Sequence, residues 1–167
     1  MGISVTNRQR RVRLNRAQLS RRAEAVLDKL RASEKSIDVA IVGDRAIRSL
    51  NRKYRKLDEV TDVLSFPSGP FPTEASPGFA PDDFHSAQDL NHIGDVVISI
   101  DEAQRQAAED RVSLDVAIDR LLIHGFLHLL GFEHETARGA AQMRRKESRL
   151  LDLLHGAGLP GYAGQGK

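Results

Sequence analysis

Three of the six histidines in this 167-residue chain, His124, His128 and His134, fall within the single segment LLIHGFLHLLGFEH at 121–134. His124 and His128 stand four residues apart in a helical pattern, so both imidazoles project from one face about one turn apart. Gly131 is suited to a positive φ that ends the helix and turns the chain back, which brings His134 to the same point from a loop. Three neutral imidazoles with a fourth position left for water are the donor set of a catalytic zinc ion, since structural zinc sites are closed by four protein ligands. The chain has no cysteine, so a transition-metal site must be built from histidine and carboxylate. The bland alternative makes these satisfied core or surface histidines. The concentration of half of the histidines around one glycine-terminated apolar helix argues against it. His85, His92 and His155 share no such spacing and read as surface residues.

The chemistry is narrowed by the residue after His124. The zinc peptidase pattern H-E-x-x-H uses a glutamate there as general base, and this chain has Gly125; Glu133 or Glu135 could substitute only from the following loop. What remains is the metal itself, which lowers the pKa of water to about 7, polarises a phosphoryl oxygen and orients an ester. A phosphodiester suits those capacities. The charge distribution agrees. Net charge is only +2, yet residues 1–22 hold Arg8, Arg10, Arg11, Arg13, Arg16, Arg21 and Arg22 with no acidic residue. Arg138, Arg144, Arg145, Lys146 and Arg149 form a second basic group. Either set could be a solvated face or a salt-sensitive phosphate track.

The elements that must position these residues are set by periodicity. Ile3–Leu14 alternates as an edge strand, and Asn15 can start a helix over about 16–30 with Leu19, Ala23, Val26, Leu27 and Leu30 on one face. Ser36–Val42 is a β-branched strand ending at Gly43-Asp44, and Asp44 is expected to cap a helix running to about Tyr54. Val63–Phe66 is a short strand stopped by Pro67. Residues 68–92 are rich in Pro, Gly and Asp and read as a long loop, with Phe71, Phe79 and Phe84 available for packing. Ile93–Ser99 is the next strand. Asp101 opens a helix to about Asp110, Ser113 caps a longer apolar one through Leu130, and a last helix covers about Ala137–Leu154 before a frayed glycine-rich tail at about 156–167. The expected class is α+β: one domain over 1–167, a small mixed sheet of about four strands and about five helices, one of them a zincin-like metal-bearing helix. With 40% hydrophobic and 29% charged residues, no bilayer-length apolar run and no signal-peptide core, the expected location is the cytosol.

The segment His124-Gly125-Phe126-Leu127-His128-Leu129-Leu130-Gly131-Phe132-Glu133-His134 resembles the zinc signature of the YbeY-type endoribonucleases, H-G-x-L-H-L-x-G-[YF]-D-H, with Glu133 where aspartate is usual. Leu50-Asn51-Arg52-Lys53-Tyr54-Arg55, Asp58 and Thr61-Asp62-Val63-Leu64-Ser65-Phe66-Pro67 are similar to a second block of that family, with Val60 in place of a proline. Ile93-Gly94-Asp95-Val96-Val97-Ile98-Ser99 resembles a third, and Met143 and Glu147 fit the last helix. The resemblance implies a zinc-dependent, single-strand-specific endoribonuclease that matures the 3′ end of 16S ribosomal RNA and acts in ribosome biogenesis and 70S ribosome quality control, with the small ribosomal subunit or associated factors as partners. It also implies a role in activity for Arg55. Read from chemistry alone, an arginine at a helix end before a turn offers a planar fork for phosphate, against the plainer reading of a cation paired with the helix dipole.

The mechanism expected is therefore one Zn²⁺ held by His124, His128 and His134, with water or the RNA 2′-hydroxyl as nucleophile and Arg55 neutralising developing charge. Two alternatives belong to other classes: a ribosome-assembly or RNA-binding factor whose zinc is structural, and a metallopeptidase.

Overall fold

The computed structural model describes residues 2–68, 91–132 and 134–156. Most of the expected loop with its three phenylalanines and His85, most of the expected tail, and Glu133 lie outside the described residues.

The described residues form four strands and five helices. In chain order these are β1 (Ile3–Asn7), α1 (Arg16–Lys29), β2 (Ser36–Val42), α2 (Asp44–Arg55), β3 (Val63–Pro67), β4 (His92–Ser99), α3 (Ile100–Asp110), α4 (Leu114–Leu129) and α5 (Ala137–His155). The strands make one sheet in the order β1-β2-β4-β3. β1 and β4 run parallel to the central β2, and β3 runs antiparallel on the outer edge of β4. The α+β class and the mixed sheet are as expected.

The helix starts are set by short polar side chains. Asn15, Ser99, Ser113 and Thr136 each accept a hydrogen bond from a backbone N–H three residues on, at α1, α3, α4 and α5, satisfying one of the orphan donors of a helix N-terminus. α2 differs from expectation. Asp44 lies inside the helix, the N-cap is Gly43 without a side-chain bond, and the Asp44 N–H donates to the carboxylate of Asp101 at 2.9 Å. A carboxylate from α3 thus performs the capping that local sequence assigns to Asp44, whose own carboxylate accepts from Ser99 and Arg105.

Strand alternation divides the sheet into two faces. Ile37, Val39, Ile41, Val96 and Ile98 face the larger core with α1, α3, α4 and α5, whereas Ala40, Val42, Leu64 and Val97 pack under Ile47 of α2. α4 is the central helix, with every residue from Val116 to Leu127 buried, as a helix apolar on nearly all sides must be. Two charged residues enter it. Arg120 bonds Asp110 at 2.6 Å, and Asp119, fully buried, takes Arg22 at 2.7 Å as well as His155. His155 is therefore tied into the helix packing rather than standing free on the surface, as its sequence position suggested.

Candidate metal centre

α4 carries His124 and His128 on one face and ends in a Schellman turn: Gly131 N–H donates to the His128 carbonyl and Phe132 N–H to the Leu127 carbonyl, both at 3.0 Å. Gly131 has φ +93°, the left-handed region in which a side chain is strained. The reversal puts His134 beside the helix face that the chain has just left. One ring nitrogen from each of His124, His128 and His134 lies within 4.8 Å of the others, with ring centroids 4.6, 4.9 and 5.9 Å apart. His124 is buried, His128 half-buried and His134 exposed, so the cluster lies between core and solvent.

Glu147 of α5 sets the chemistry of the innermost ring. Its Oε1 accepts from His124 Nδ1 at 2.6 Å, with both side chains nearly buried. A carboxylate at Nδ1 requires the proton there, which leaves the Nε2 lone pair facing the cluster. His124 Nε2 and His128 Nε2 are 3.1 Å apart; two imidazole nitrogens on one tetrahedral zinc would be separated by about 3.3 Å, given zinc–nitrogen bonds of about 2.0–2.1 Å. The donor set and its spacing fit a divalent metal such as zinc. The His128 imidazole is pushed down to about 4, first by burial and then by His124 and His134, with Arg55 adding to the effect and a hydrogen bond at the Phe132 backbone opposing it. It is neutral at physiological pH, the form a ligand must take.

Arg55 is the last residue of α2 and exposed; its guanidinium donates to the Ser65 carbonyl of β3 at 2.9 Å. It lines the same cavity of about 630 Å³ as His124, His128 and His134, together with Leu57, the 59–65 stretch and Gln106. Asn51, buried one turn earlier, holds that stretch in place by donating to the Glu59 carbonyl at 3.0 Å. The two sequence blocks are thus brought into one groove.

Gly125 has a reason beyond chemistry. A Cβ there would stand 2.7 Å from the Val96 side chain and 3.2 Å from Ser65 Oγ, so α4 lies on β3 and β4 at a distance that only glycine permits. A peptidase glutamate has no room at this position. Sequence reasoning singles out Gly125 for what it lacks and does not reveal this contact. It also leaves Glu147 without a role, although a carboxylate in the otherwise apolar stripe of Met143, Leu150 and Leu151 is a usable signal. It places His92 on the surface, and the structure corrects this: His92 is buried and bonds Asp95 at 3.2 Å.

The family model for endoribonuclease YbeY matches residues 4–155. Curated relatives named endoribonuclease YbeY include one from Anaeromyxobacter sp. strain Fw109-5, 39% identical over 98% of this chain and 76% of its own length. Another, from Geobacter sulfurreducens, is 37% identical over 95% of this chain and 99% of its own. A third, from Myxococcus xanthus, is 46% identical over 77% of this chain, which spans 40% of that longer protein. The fold resembles a Thermotoga maritima protein solved in solution, with TM-score 0.59 and 22% identity over 90% of this chain and 87% of the other. With match, fold and histidine cluster in agreement, the chain belongs to the endoribonuclease YbeY family of enzymes.

Proposed function

We propose that this chain is a zinc-dependent, single-strand-specific endoribonuclease acting in 16S ribosomal RNA 3′-end maturation, ribosome biogenesis and 70S ribosome quality control in the cytoplasm, with residues 1–167 working as one domain. The observation that carries the reading is the convergence of His124, His128, His134 and Arg55 on one groove. In this reading the three histidines are the metal ligands, and they and Arg55 are the catalytic residues. Zinc bound there would acidify water and polarise a phosphoryl oxygen. Glu147 fixes the His124 tautomer so that Nε2 points to the cluster. Arg55, anchored by one nitrogen on the Ser65 carbonyl, directs a cation toward a phosphate in the groove and stabilises charge that builds on it. Among the described residues no Phe, Tyr or Trp lines the groove, which favours a backbone-directed grip with little base preference. Of the basic residues near the N-terminus, Arg22 is tied to Asp119 and Arg11 to Asp101; Arg10, Arg13, Arg16 and Arg21, with those along α5, supply the salt-sensitive part of binding. The ribosomal partners rest on the family relationship.

The test is single-stranded RNA cleavage by metal-loaded wild type, His128→Ala and Arg55→Ala, alongside sequencing of small-subunit ribosomal RNA ends in cells carrying each. Both variants are expected to lose at least about 100-fold in cleavage, in line with removal of one charge-stabilising donor. Cleavage retained by a folded, zinc-free His128→Ala protein would return the metal to a structural role, and unchanged 3′ ends in Arg55→Ala cells would remove the maturation assignment.

A further inference from the structure

A second group of donor side chains lies on the opposite face of the sheet. Asp38 of β2 and Asp95 of β4 are direct partners across the parallel ladder. By alternation both point to the α2 face, since their neighbours Val39 and Val96 belong to the larger core. His92 should point the other way from Asp95, three residues on in the same strand. It does not, because the register slips between Ser36 and Ile37: Ser36 pairs with His92 and Ile37 with Gly94, leaving one extra residue in β4. Such a bulge re-aims the side chain before it. His92 Nε2 thereby comes within 3.2 Å of Asp95 Oδ1, and one donor atom from each of Asp38, His92 and Asp95 lies within 4.8 Å of the other two.

We propose that Asp38, His92 and Asp95 form a second cation site, distinct from the three-histidine cluster, that takes a divalent first-row metal such as Mn²⁺. Two carboxylate oxygens and one imidazole nitrogen are a mixed donor set intermediate between the all-oxygen sites of hard cations and the imidazole-rich sites of zinc and copper. The 3.2 Å between Nε2 and Oδ1 is the span of two adjacent ligands at about 2.1 Å from one ion. Without an ion, the His92 Nε2 proton bridges to Asp95; a bound cation would take that proton's place. His92 Nδ1 lies 3.5 Å from Ser36 Oγ, so the imidazole can move its proton to Nδ1 and present Nε2 to the metal, the outer support usual for ligating histidines. His92 and Asp95 are 8% and 6% exposed, which separates this cluster from exposed acidic groups that hold no ion. An ion here would clamp β2 to β4 at the end of the sheet where β4 begins.

The experiment titrates Mn²⁺ alone into chelator-stripped full-length protein and follows free Mn²⁺ by its paramagnetic resonance signal. Wild type is expected to bind two ions per chain, and His128→Ala/His134→Ala to keep one. Adding Asp38→Asn to that double variant should weaken the remaining site at least tenfold. In the double variant Mn²⁺ should broaden the His92 ring proton resonances and raise Tm by about 3–6 °C at roughly ten times the dissociation constant. If the double variant fails to fold, wild type preloaded with one equivalent of Zn²⁺ takes its place, with one further Mn²⁺ expected. Absence of saturable Mn²⁺ binding in the folded double variant or the zinc-loaded protein overturns the proposal, and so does a site indifferent to Asp38→Asn that leaves the His92 resonances sharp.

Discussion

Glu147 and Gly125 govern the histidine cluster without belonging to it. If Glu147 orients His124, then Glu147→Ala lowers zinc affinity by about 10–100-fold, the usual cost of losing the carboxylate behind a metal-bound histidine. Glu147→Gln, which keeps an acceptor without the charge, should fall between that variant and wild type. Competition against a chromophoric chelator measures this, and unchanged affinity in a folded Glu147→Ala protein would refute the orienting role. Gly125→Glu restores the H-E-x-x-H string on paper. It should destabilise by at least about 1–3 kcal/mol, since the side chain must displace Val96 and Ser65 from a close-packed contact, and it should confer no peptidase activity. Urea unfolding decides the first point and a casein assay the second.

Among the elements, the turn after α4 separates stability from site geometry. Open space surrounds the position a Gly131 Cβ would take, so Gly131→Ala meets no clash, but φ is +93°. The expected cost is about 1 kcal/mol of backbone strain. Its effect on metal affinity should be larger than its effect on the unfolding midpoint, because the turn's main product is the location of His134. Equal proportional effects would mean that the turn only ends the helix. The elements themselves were largely legible: helix periodicity located α1, α3, α4 and α5 to within a residue or two, Asn15 and Ser113 were readable as caps whereas Ser99 caps α3 in place of the expected Asp101, and β-branched alternation located β2. Strand order was not legible, because β1, β2 and β4 pair across intervening helices and no local signal encodes which neighbours meet. The Asp44 cap misled for the same reason, since the residue that serves α2 comes from α3. His92 looked like a loop histidine because a one-residue register slip, invisible in sequence, decides which face it occupies. The histidine triad was readable because two of its members share a helix face and the third comes after a glycine.

At the scale of the whole molecule, Asp119 joins α1, α4 and the end of α5 through Arg22 and His155. Burial raises its carboxyl pKa above the ordinary 3.8, against the opposing charges of Arg22 and His155. A raised folded value means that the native state binds this proton more tightly than the unfolded chain. The corresponding stability is fully present below the unfolded pKa and is lost as pH rises through the folded one. Asp119→Asn cannot ionise, so the wild-type advantage over it should shrink as pH rises from below 3.8. Urea midpoints across that range measure this, and an advantage that grows with pH would show the carboxyl to be depressed instead. No helix among the described residues is long and apolar enough to cross a membrane.

The bond from Arg55 to the Ser65 carbonyl also bears on which polymers can lie along the groove. β3 is the outer strand of the sheet, and an extended polypeptide seeking a berth beside a metal would pair with such a rim through its own amides. Arg55 already occupies an acceptor that pairing would use, so a peptide must evict a cation to bind. A polynucleotide has no backbone amide to place there and meets the same guanidinium as an attraction. In the proposed reading one side chain would thus serve as both a barrier and a welcome, discriminating between two kinds of chain before any bond is cut.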